Sequence, residues 1–309
     1  MENIKLSLIV PVYFEEECIG QFLKETKAVL DGQNIDYEYV FIDDGSTDKT
    51  TQIIKAAARD NNKIKLVELS YNHGKQAAVT AGINYATGTH LLYMDPDLQD
   101  PPEEIPRFLE EIKKGYDIVF GIRREKKDSF LNKQYSRLFW WVLQRFTGLE
   151  IPTGLAVMRI FNRRFANIFI EYKEQNRFIE GIFLHIGLNR SQIEISQRAR
   201  FAGKSKFNLK RKMKLAFDAI FDFSEIPLKM AVRIGLMLMC VGFLSVIALV
   251  FAKLFIINFQ AGWISLITAI ITATGIQLFF IGIAALYIGK VYKESKNRPL
   301  YSVKETTNF

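Results

Sequence analysis

The amino-acid sequence predicts an α/β domain built on a mostly parallel sheet, followed by two helices that cross a membrane. From the N-terminus to about residue 125, apolar runs of strand length alternate with helical patterns. Continuous apolar strands between helices are typical of parallel sheets that helices cover on both faces. Further on, no side chain is charged from Ile234 to Ala252 or from Leu254 to Gly289. About 20 apolar residues are enough to span a bilayer.

Five apolar runs are the predicted strands of this sheet. In chain order they read "KLSLIVPVY", "YEYVFID", "IKLVELS", "HLLYMD" and "DIVFGIR". Between the first two, "EEECIGQFLKETKAVL" carries its apolar residues on one helical face, as a helix that covers a sheet should. Parallel sheets bind ligands beyond the carboxyl ends of their strands. We therefore expect the loops after these five runs to form the functional site.

The loops after the predicted strands carry acids rather than a glycine-rich phosphate cradle. No Gly-x-Gly-x-x-Gly follows any strand and the chain has no Walker-type loop, which disfavours a dinucleotide or P-loop nucleotide site. The second strand ends in "DDGSTD" and the fourth in "DPDLQD". Carboxylates repel a diphosphate unless a divalent cation bridges them, and oxygen ligands suit Mg²⁺ or Mn²⁺. These loops therefore predict a metal-dependent site for a negatively charged ligand.

The loop after the fourth strand supplies the predicted metal ligands. Asp95, Asp97 and Gln99 alternate, and in extended chain their side chains would project to one side as half of an octahedral oxygen shell. The alternative is a plain turn that leads into a helix. Asp100 precedes two prolines and two glutamates, which is the pattern of a helix N-cap, so we expect a structural role for Asp100.

The loops after the second and third strands are less specific. Asp43 and Asp44 are unexpected at the end of a buried strand and are candidates for ligand binding. However, Asp-Gly-Ser is also ordinary turn chemistry, in which Ser46 or Thr47 would cap the next helix. In the third loop, His73 is either a ligand or a packed loop residue beside a glycine, and we expect the packed residue.

The two uncharged stretches are expected to form membrane spans near residues 232–257 and 263–289, separated by the polar connector "NFQAGW". A buried helical hairpin in a soluble domain is the alternative. Lys and Arg residues lie before the first span and after the second, and they are absent from the connector between the spans. Because positive charge stays on the cytoplasmic side of a membrane, both termini are predicted to be cytoplasmic.

A basic segment precedes the first span. From Arg198 to Lys214 there are eight Lys or Arg residues and no acid, a composition that suits nucleic acid, anionic lipid or a phosphorylated substrate. The segment from Asn208 to Ser224 is predicted to be an amphipathic helix on the cytoplasmic membrane surface. The alternative is a helix packed on the α/β domain. The predicted apolar stripe consists of Leu209, Met213, Ala216, Phe217, Ile220 and Phe221.

Taken together, these motifs resemble those of the inverting family 2 glycosyltransferases with a GT-A fold. The closer match is to the polyprenyl-phosphate branch, which contains dolichol-phosphate mannose synthases and bactoprenol glucosyltransferases. The resemblance rests on the paired C-terminal spans and on "IVPVYFEEE", "FIDDGSTDKT", "LSYNHGKQAAVTAGINYATG", "YMDPDLQDPPE", "GIRRE" and "GKSKF". We accordingly expect four regions: a cytoplasmic GT-A catalytic domain (1–207), an amphipathic interfacial region (208–229), two transmembrane helices (230–290) and a cytoplasmic tail (291–309).

The resemblance implies a role for each candidate residue. The nucleotide sugar would be held by residues at or after the ends of the first four strands: Pro11, Tyr13, Glu15, Asp43, Asp44, Lys75 and Asp95. Asp95, Asp97 and Gln99 match positions that hold the metal and the diphosphate. The lipid phosphate would be held by four basic residues: Arg123, Arg137, Lys204 and Lys206. Asp97, Arg123 and Arg137 would take part in catalysis, although Arg137 also fits a solvated helix face.

One position departs from the family pattern. Many bacterial relatives read Gly-Asp-Phe-Arg-Leu where this chain has "GLAVMRIF", and alignment on Arg159 places Val157 at the aspartate that is often proposed as a base. Valine cannot accept a proton. A phosphate monoester, with its second pKa of about 6, is already mostly a dianion near neutral pH and does not need deprotonation. We therefore expect a mechanism without a protein base.

The resemblance implies an enzyme that moves one sugar from a nucleotide sugar to a polyprenyl phosphate, such as undecaprenyl phosphate, in the plasma membrane. The expected donors are UDP-glucose and UDP-N-acetylglucosamine, and the lipid-linked sugar would serve extracytoplasmic glycan modification. Some relatives are tetramers, so a homo-oligomer is expected, whereas a nucleic-acid partner is not. Two alternatives stay open. A processive polysaccharide synthase would carry Gln-x-x-Arg-Trp, of which only "QYSRL" is present. A non-catalytic nucleotide-sugar sensor or scaffold is suggested by Val157 alone.

Overall fold

The computed structural model describes residues 4–123, 152, 154–175, 177–199, 201, 226–255 and 262–309. The chain divides into two compact units. The first contains the α/β domain together with the C-terminal tail Arg298–Phe309, and the second contains two long helices. Four sequence predictions lie outside the described residues: the interfacial helix Asn208–Ser224, Arg137, Lys204 and Lys206.

The first unit is built on a sheet that has eight strands within the described residues. Five of them coincide with the predicted apolar runs: β1 (Lys5–Val12), β2 (Asp36–Asp43), β3 (Ile64–Leu69), β4 (His90–Tyr93) and β5 (Ile118–Arg123). Three further strands complete the sheet: β6 (Leu155–Asn162), β7 (Arg190–Ile195) and β8 (Val303–Thr307). The order across the sheet is β7-β5-β6-β4-β1-β2-β3-β8.

Strands β1 to β5 and β7 run in one direction, while β6 and β8 run against them. β1 is parallel to β2 and β4, β2 is parallel to β3, and β5 is parallel to β7. β6 is antiparallel to both β4 and β5, and β8 is antiparallel to β3. The prediction of a mostly parallel sheet is therefore confirmed, and the carboxyl ends of β1 to β5 lie at one edge.

Helices cover both faces of the sheet. They are α1 (Ile19–Asp31), α2 (Thr50–Asp60), α3 (Lys75–Tyr85), α4 (Ile105–Ile112), α5 (Arg163–Glu171) and α6 (Ile179–His185). On one face, the Phe22 ring of α1 packs edge-on against Phe41 of β2, with 6.1 Å between ring centroids. On the other, α3 lies so close that a Cβ on Gly82 would stand 2.5 Å from Ile9 and 2.6 Å from Ile42. Burial on both faces explains why these strands read as continuous apolar runs.

The second unit contains α7 (Ile226–Phe255) and α8 (Trp263–Ser295). By length and composition, both helices are apolar enough to cross a membrane, over Leu228–Ser245 and Ala269–Ser295. Neither stretch is buried within the described structure. The expectation of two long apolar helices near the C-terminus is confirmed.

Candidate active site

The carboxyl end of β2 leads into a turn that Asp43 organises. The Asp43 carboxylate is buried and accepts hydrogen bonds from the Ser46 backbone N–H at 3.1 Å and from the Thr51 hydroxyl at 2.7 Å. The predicted helix cap by Ser46 or Thr47 is wrong, because α2 begins only at Thr50. Ser46 follows Asp43 by three positions, so the turn closes on the acid rather than on a hydroxyl.

The neighbouring acid, Asp44, braces the loop that follows β3. Its carboxylate accepts the backbone N–H groups of His73 at 2.7 Å and Gly74 at 2.9 Å. Burial raises the pKa of Asp44 to about 6, against the lowering effect of these two hydrogen bonds. Gly45, at φ +77°, allows a close approach, since a Cβ there would lie 2.8 Å from the Tyr71 carbonyl carbon. The loops after β2 and β3 thus form one connected structure.

The loop after β1 presents aromatic side chains at the same edge. Phe14 adopts a left-handed backbone with φ +53°, and its exposed ring lies 4.2 Å from the Tyr13 ring, centroid to centroid. Such strained backbone concentrates at functional sites. The Glu15 backbone N–H donates to the Thr50 hydroxyl at 2.8 Å, which fixes the loop against α2. Pro11, by contrast, is a buried residue of β1 itself.

The loop after β4 brings the first predicted metal ligand against a lysine. The Lys75 ammonium, at the start of α3, lies 2.6 Å from Asp95 Oδ2. Asp95 Oδ1 is buried and has no hydrogen-bond partner among the residues that the structure describes. A buried acceptor without a donor costs on the order of 1–3 kcal/mol. A divalent cation would satisfy this oxygen, so Asp95 fits the predicted metal site.

Beyond Asp95 the chain turns instead of staying extended. Leu98 is left-handed, with φ +58°, and Asp97 Oδ1 accepts the Gln99 backbone N–H at 3.1 Å. The expectation of three side chains alternating along extended chain is therefore wrong. The described residues contain no group of three or more His, Cys, Asp or Glu side chains that could hold a metal. The two carboxylates and one amide would thus need phosphate or water oxygens to complete an octahedral shell.

Asp100 joins the loop after β4 to β5 and β6. Asp100 Oδ1 accepts from Arg123 Nε at 2.9 Å and Nη2 at 2.7 Å. The other oxygen accepts the backbone N–H groups of Val157 at 3.1 Å and Met158 at 3.0 Å. Asp100 is structural, but not as the predicted N-cap: the turn of 3₁₀-helix Pro102–Glu104 has no side-chain cap in the described structure. Four donors from distant strands hold the carboxylate instead.

Strand β6 carries the departure from the family pattern. Val157 is half-buried, with its N–H on Asp100. Arg159 is almost fully buried and donates from Nε to the Val157 carbonyl and from Nη2 to the Ala156 carbonyl, both at 3.0 Å. Its guanidinium lies 4.9 Å from the centre of the Phe183 ring. The backbone around Val157 is therefore fixed from both sides.

Sequence reasoning missed the C-terminal tail at this end of the sheet. Strand β8 pairs with β3, and Ser302, just before it, is hydrogen-bonded to His73. The local signal was a run rich in β-branched residues, with Val303, Thr306 and Thr307. Such a run favours a strand but does not say which strand it will join.

A mostly parallel α/β sheet, with acids and a lysine gathered where β1, β2 and β4 end, is the arrangement of a nucleotide-sugar-dependent transferase with a GT-A fold. Residues 7–169, more than half of the chain, match the family described as "Glycosyl transferase family 2". The chain therefore belongs to glycosyltransferase family 2, and the expectation drawn from its motifs is confirmed.

Two relatives match the chain from end to end. The bactoprenol glucosyl transferase of Shigella phage SfII is 33% identical over 98% of this chain and 98% of its own length. The undecaprenyl-phosphate 4-deoxy-4-formamido-L-arabinose transferase of Aeromonas hydrophila is 32% identical over 98% of this chain and 94% of its own length. Among solved structures, mannosyl-3-phosphoglycerate synthase from Rubrobacter xylanophilus has a TM-score of 0.50 at 14% identity, covering 70% of this chain and 72% of that one. This last likeness concerns the fold alone.

Proposed function

We propose that this glycosyltransferase moves one sugar from a nucleotide sugar to a polyprenyl phosphate in the membrane, with inversion at the anomeric carbon. One observation carries the proposal: a GT-A sheet with an acid-bearing edge and two helices long enough to cross a membrane occur in the same chain. The two relatives named above, which act on bactoprenol and undecaprenyl phosphate according to their names, support a lipid phosphate as acceptor.

The donor would bind across the carboxyl ends of β1, β2 and β4. Tyr13 and Glu15 would line the nucleoside pocket with Asp43, whose carboxylate can accept more hydrogen bonds than its turn uses. A uracil N–H is a suitable partner for such an acceptor. Asp44 would keep the loop after β3 in place, and Lys75 would lie beside the diphosphate. We propose UDP-glucose and UDP-N-acetylglucosamine as the donors to test.

The metal, Mg²⁺ or Mn²⁺, would be held by the buried Oδ1 of Asp95 together with Asp97 and Gln99. When bound, it would neutralise the diphosphate that departs with the nucleotide. The hydrogen bond from the Gln99 N–H fixes Asp97 before any ligand arrives, and prearranged charges of this kind need no reorganisation during the reaction. The Lys75 ammonium, 2.6 Å from Asp95, adds positive charge at the same place.

The acceptor phosphate would meet Arg123, with Arg137, Lys204 and Lys206 supplying further positive charge. Asp100 holds one edge of the Arg123 guanidinium, and a guanidinium carries five N–H donors, so others remain for a phosphate. A phosphate oxygen would attack the anomeric carbon opposite the leaving diphosphate. Because the dianion is already the nucleophile near neutral pH, Val157 would only shape the acceptor side.

The proposal also includes an orientation in the membrane. Lys229 and Arg233 lie near the start of α7, and Lys290 and Lys293 lie near the end of α8. This charge distribution supports a cytoplasmic location for the α/β domain and both termini. The lipid-linked sugar would then be used for glycan modification on the other side. A homo-oligomer is part of the same proposal.

The decisive experiment incubates membranes that contain the protein with a labelled UDP-sugar, undecaprenyl phosphate and Mn²⁺. A lipid carrying one sugar would support the proposal. A polymer would indicate a processive synthase, and donor binding without any product would indicate a sensor or scaffold. The matched control is Asp97→Asn, which keeps the size of the side chain but removes the negative charge that would hold the metal.

A further inference from the structure

Within the first unit, strand β8 and the residue that follows it attach the C-terminal tail to the α/β domain. Strand β8 runs antiparallel to β3, with Leu66 opposite Thr307 and Glu68 opposite Glu305. Lys55 of α2 forms ion pairs with both glutamates, at 2.5 Å to Glu68 and 2.7 Å to Glu305. At its end, the Asn308 amide donates to the carbonyls of Ala58 and Ile64, at 2.8 and 2.9 Å. These contacts anchor the tail at a defined register.

This register places Ser302 on the loop that follows β3. The Ser302 carbonyl accepts the Ser70 N–H at 2.9 Å, and the two serine hydroxyls are hydrogen-bonded to each other. The Ser302 backbone N–H donates to His73 Nε2 at 3.3 Å, and its hydroxyl lies 3.1 Å from the same nitrogen. Within the same loop, the Tyr71 ring packs against the His73 ring, with 3.8 Å between ring centroids.

The state of the histidine follows from these contacts. Because Nε2 accepts the Ser302 backbone N–H, it carries a lone pair and the imidazole is neutral, with its proton on Nδ1. Burial lowers the pKa of His73, which agrees with the neutral form. The His73 ring is therefore held between the tail and the Tyr71 ring.

His73 connects the tail to the proposed donor site. Its backbone N–H and that of Gly74 are the two donors to the buried Asp44 carboxylate. Gly74, at φ +94°, immediately precedes α3, and the first residue of that helix is Lys75, the partner of Asp95. Only one residue, Gly74, lies between the contact with the tail at His73 and the lysine beside the proposed diphosphate.

We infer that the C-terminal tail is a positioning element of the nucleotide site: Ser302 holds the His73–Gly74 loop so that Asp44 and Lys75 keep their places before the donor binds. Ser302 acts through His73 and is a positioning residue, not a catalytic one. The inference rests on the proposed donor site at this edge and is independent of the acceptor. The competing explanation is that the tail only covers the edge of β3.

The test measures nucleotide affinity of the full-length protein in detergent by calorimetry, with UDP and Mn²⁺, or with GDP if the wild-type protein binds GDP more tightly. Ser302→Ala removes the hydroxyl that contacts Ser70 and His73 and should weaken binding about fivefold. Ser302→Thr retains the hydroxyl and should bind like the wild type. Thr306→Ala is the matched control, because Thr306 is an exposed residue of β8 that pairs with Val67, away from the loop.

A second variant is expected to give a larger loss of nucleotide affinity, in case the effect of Ser302→Ala is too small to measure. Ser302→Pro also removes the backbone N–H that His73 accepts and should weaken binding more than Ser302→Ala, by at least about tenfold. Wild-type affinity in both Ser302→Ala and Ser302→Pro, or an equal loss in Thr306→Ala, would overturn the inference even if the melting temperatures fall. If the wild-type protein makes no lipid-linked sugar, the proposed acceptor is refuted. Weaker UDP binding by Ser302→Ala than by the wild type would still support this inference.

Discussion

Replacement of Asp100 by alanine tests whether one buried carboxylate holds the acceptor side of the site together. The carboxylate receives two N–H groups from Arg123 and one each from Val157 and Met158. Asp100→Ala would leave these donors without their acceptor. Deleting one member of a buried ion pair costs about 3–5 kcal/mol. The side chain of Asp100 is 3% exposed but that of Arg123 is 24% exposed, so water will compensate in part, and we expect about 3 kcal/mol.

The assay is thermal unfolding of the detergent-solubilised, full-length protein. About 1 kcal/mol shifts the melting temperature of a domain of this size by about 2–4 °C, so Asp100→Ala should lower it by about 6–12 °C. Asp100→Asn keeps one acceptor oxygen, so its melting temperature should lie between those of the wild type and Asp100→Ala. The matched control is Glu103→Ala, which removes an exposed ion pair with Arg198 and should lower the melting temperature by less than about 2 °C.

Two results would contradict this reasoning. If Asp100→Ala lowers the melting temperature no more than Glu103→Ala does, the four hydrogen bonds do not stabilise the fold as a unit. Transfer activity, measured well below the melting temperatures of the wild type and of Asp100→Ala, gives the second readout. Because Asp100 orients Arg123, activity should fall in Asp100→Ala, and full activity would mean that Arg123 does not need this partner.

Three further predictions concern the proposed chemistry and its pH dependence. Asp97→Ala should abolish transfer and weaken donor binding only with Mn²⁺ present; normal binding and activity with Mn²⁺ would show that the metal assignment is wrong. Arg123→Ala should lose at least about tenfold more transfer activity than Val157→Ala, and the wild-type rate should rise through about pH 6 and then level off as the lipid phosphate ionises. Loss of activity in Glu180→Gln, with donor binding intact, would reveal a base in the first turn of α6 and end the base-free hypothesis. Asp44 has its pKa raised from 3.8 to about 6 by burial, so the folded protein holds this proton more tightly than the unfolded chain. Its contribution to stability is present below about pH 4 and is lost as the pH rises through about 6. The melting temperature of the wild type should therefore fall relative to that of Asp44→Asn over this range, and a constant difference between the two would count against the shift.

The order of strands β1 to β5 along the chain and the acids that follow them could be predicted from local sequence. A continuous apolar run is buried whichever helix covers it, because hydrophobic burial depends on area and not on direction. Strands β6 and β7 lack that signal. β6 contains the buried Arg159, whose charge is accommodated by carbonyls and aromatic rings, and β7, "RSQIEI", is mostly exposed or half-buried. Neither reads as a buried strand until its neighbours in the sheet are known.

Local residue order is enough to predict which chemical groups stand at the carboxyl edge of the sheet. What each of those groups contacts depends on how distant parts of the chain pack. Val157 lies 57 residues from Asp100, and Ser302 lies 229 residues from His73. The left-handed backbone at Leu98 turned Asp97 onto the Gln99 N–H, although the sequence alone suggested extended chain. A hydrogen bond requires a donor and an acceptor about 3 Å apart in a narrow range of angles. That geometry is set by how distant strands and loops pack, and the local pattern of residue types does not contain it.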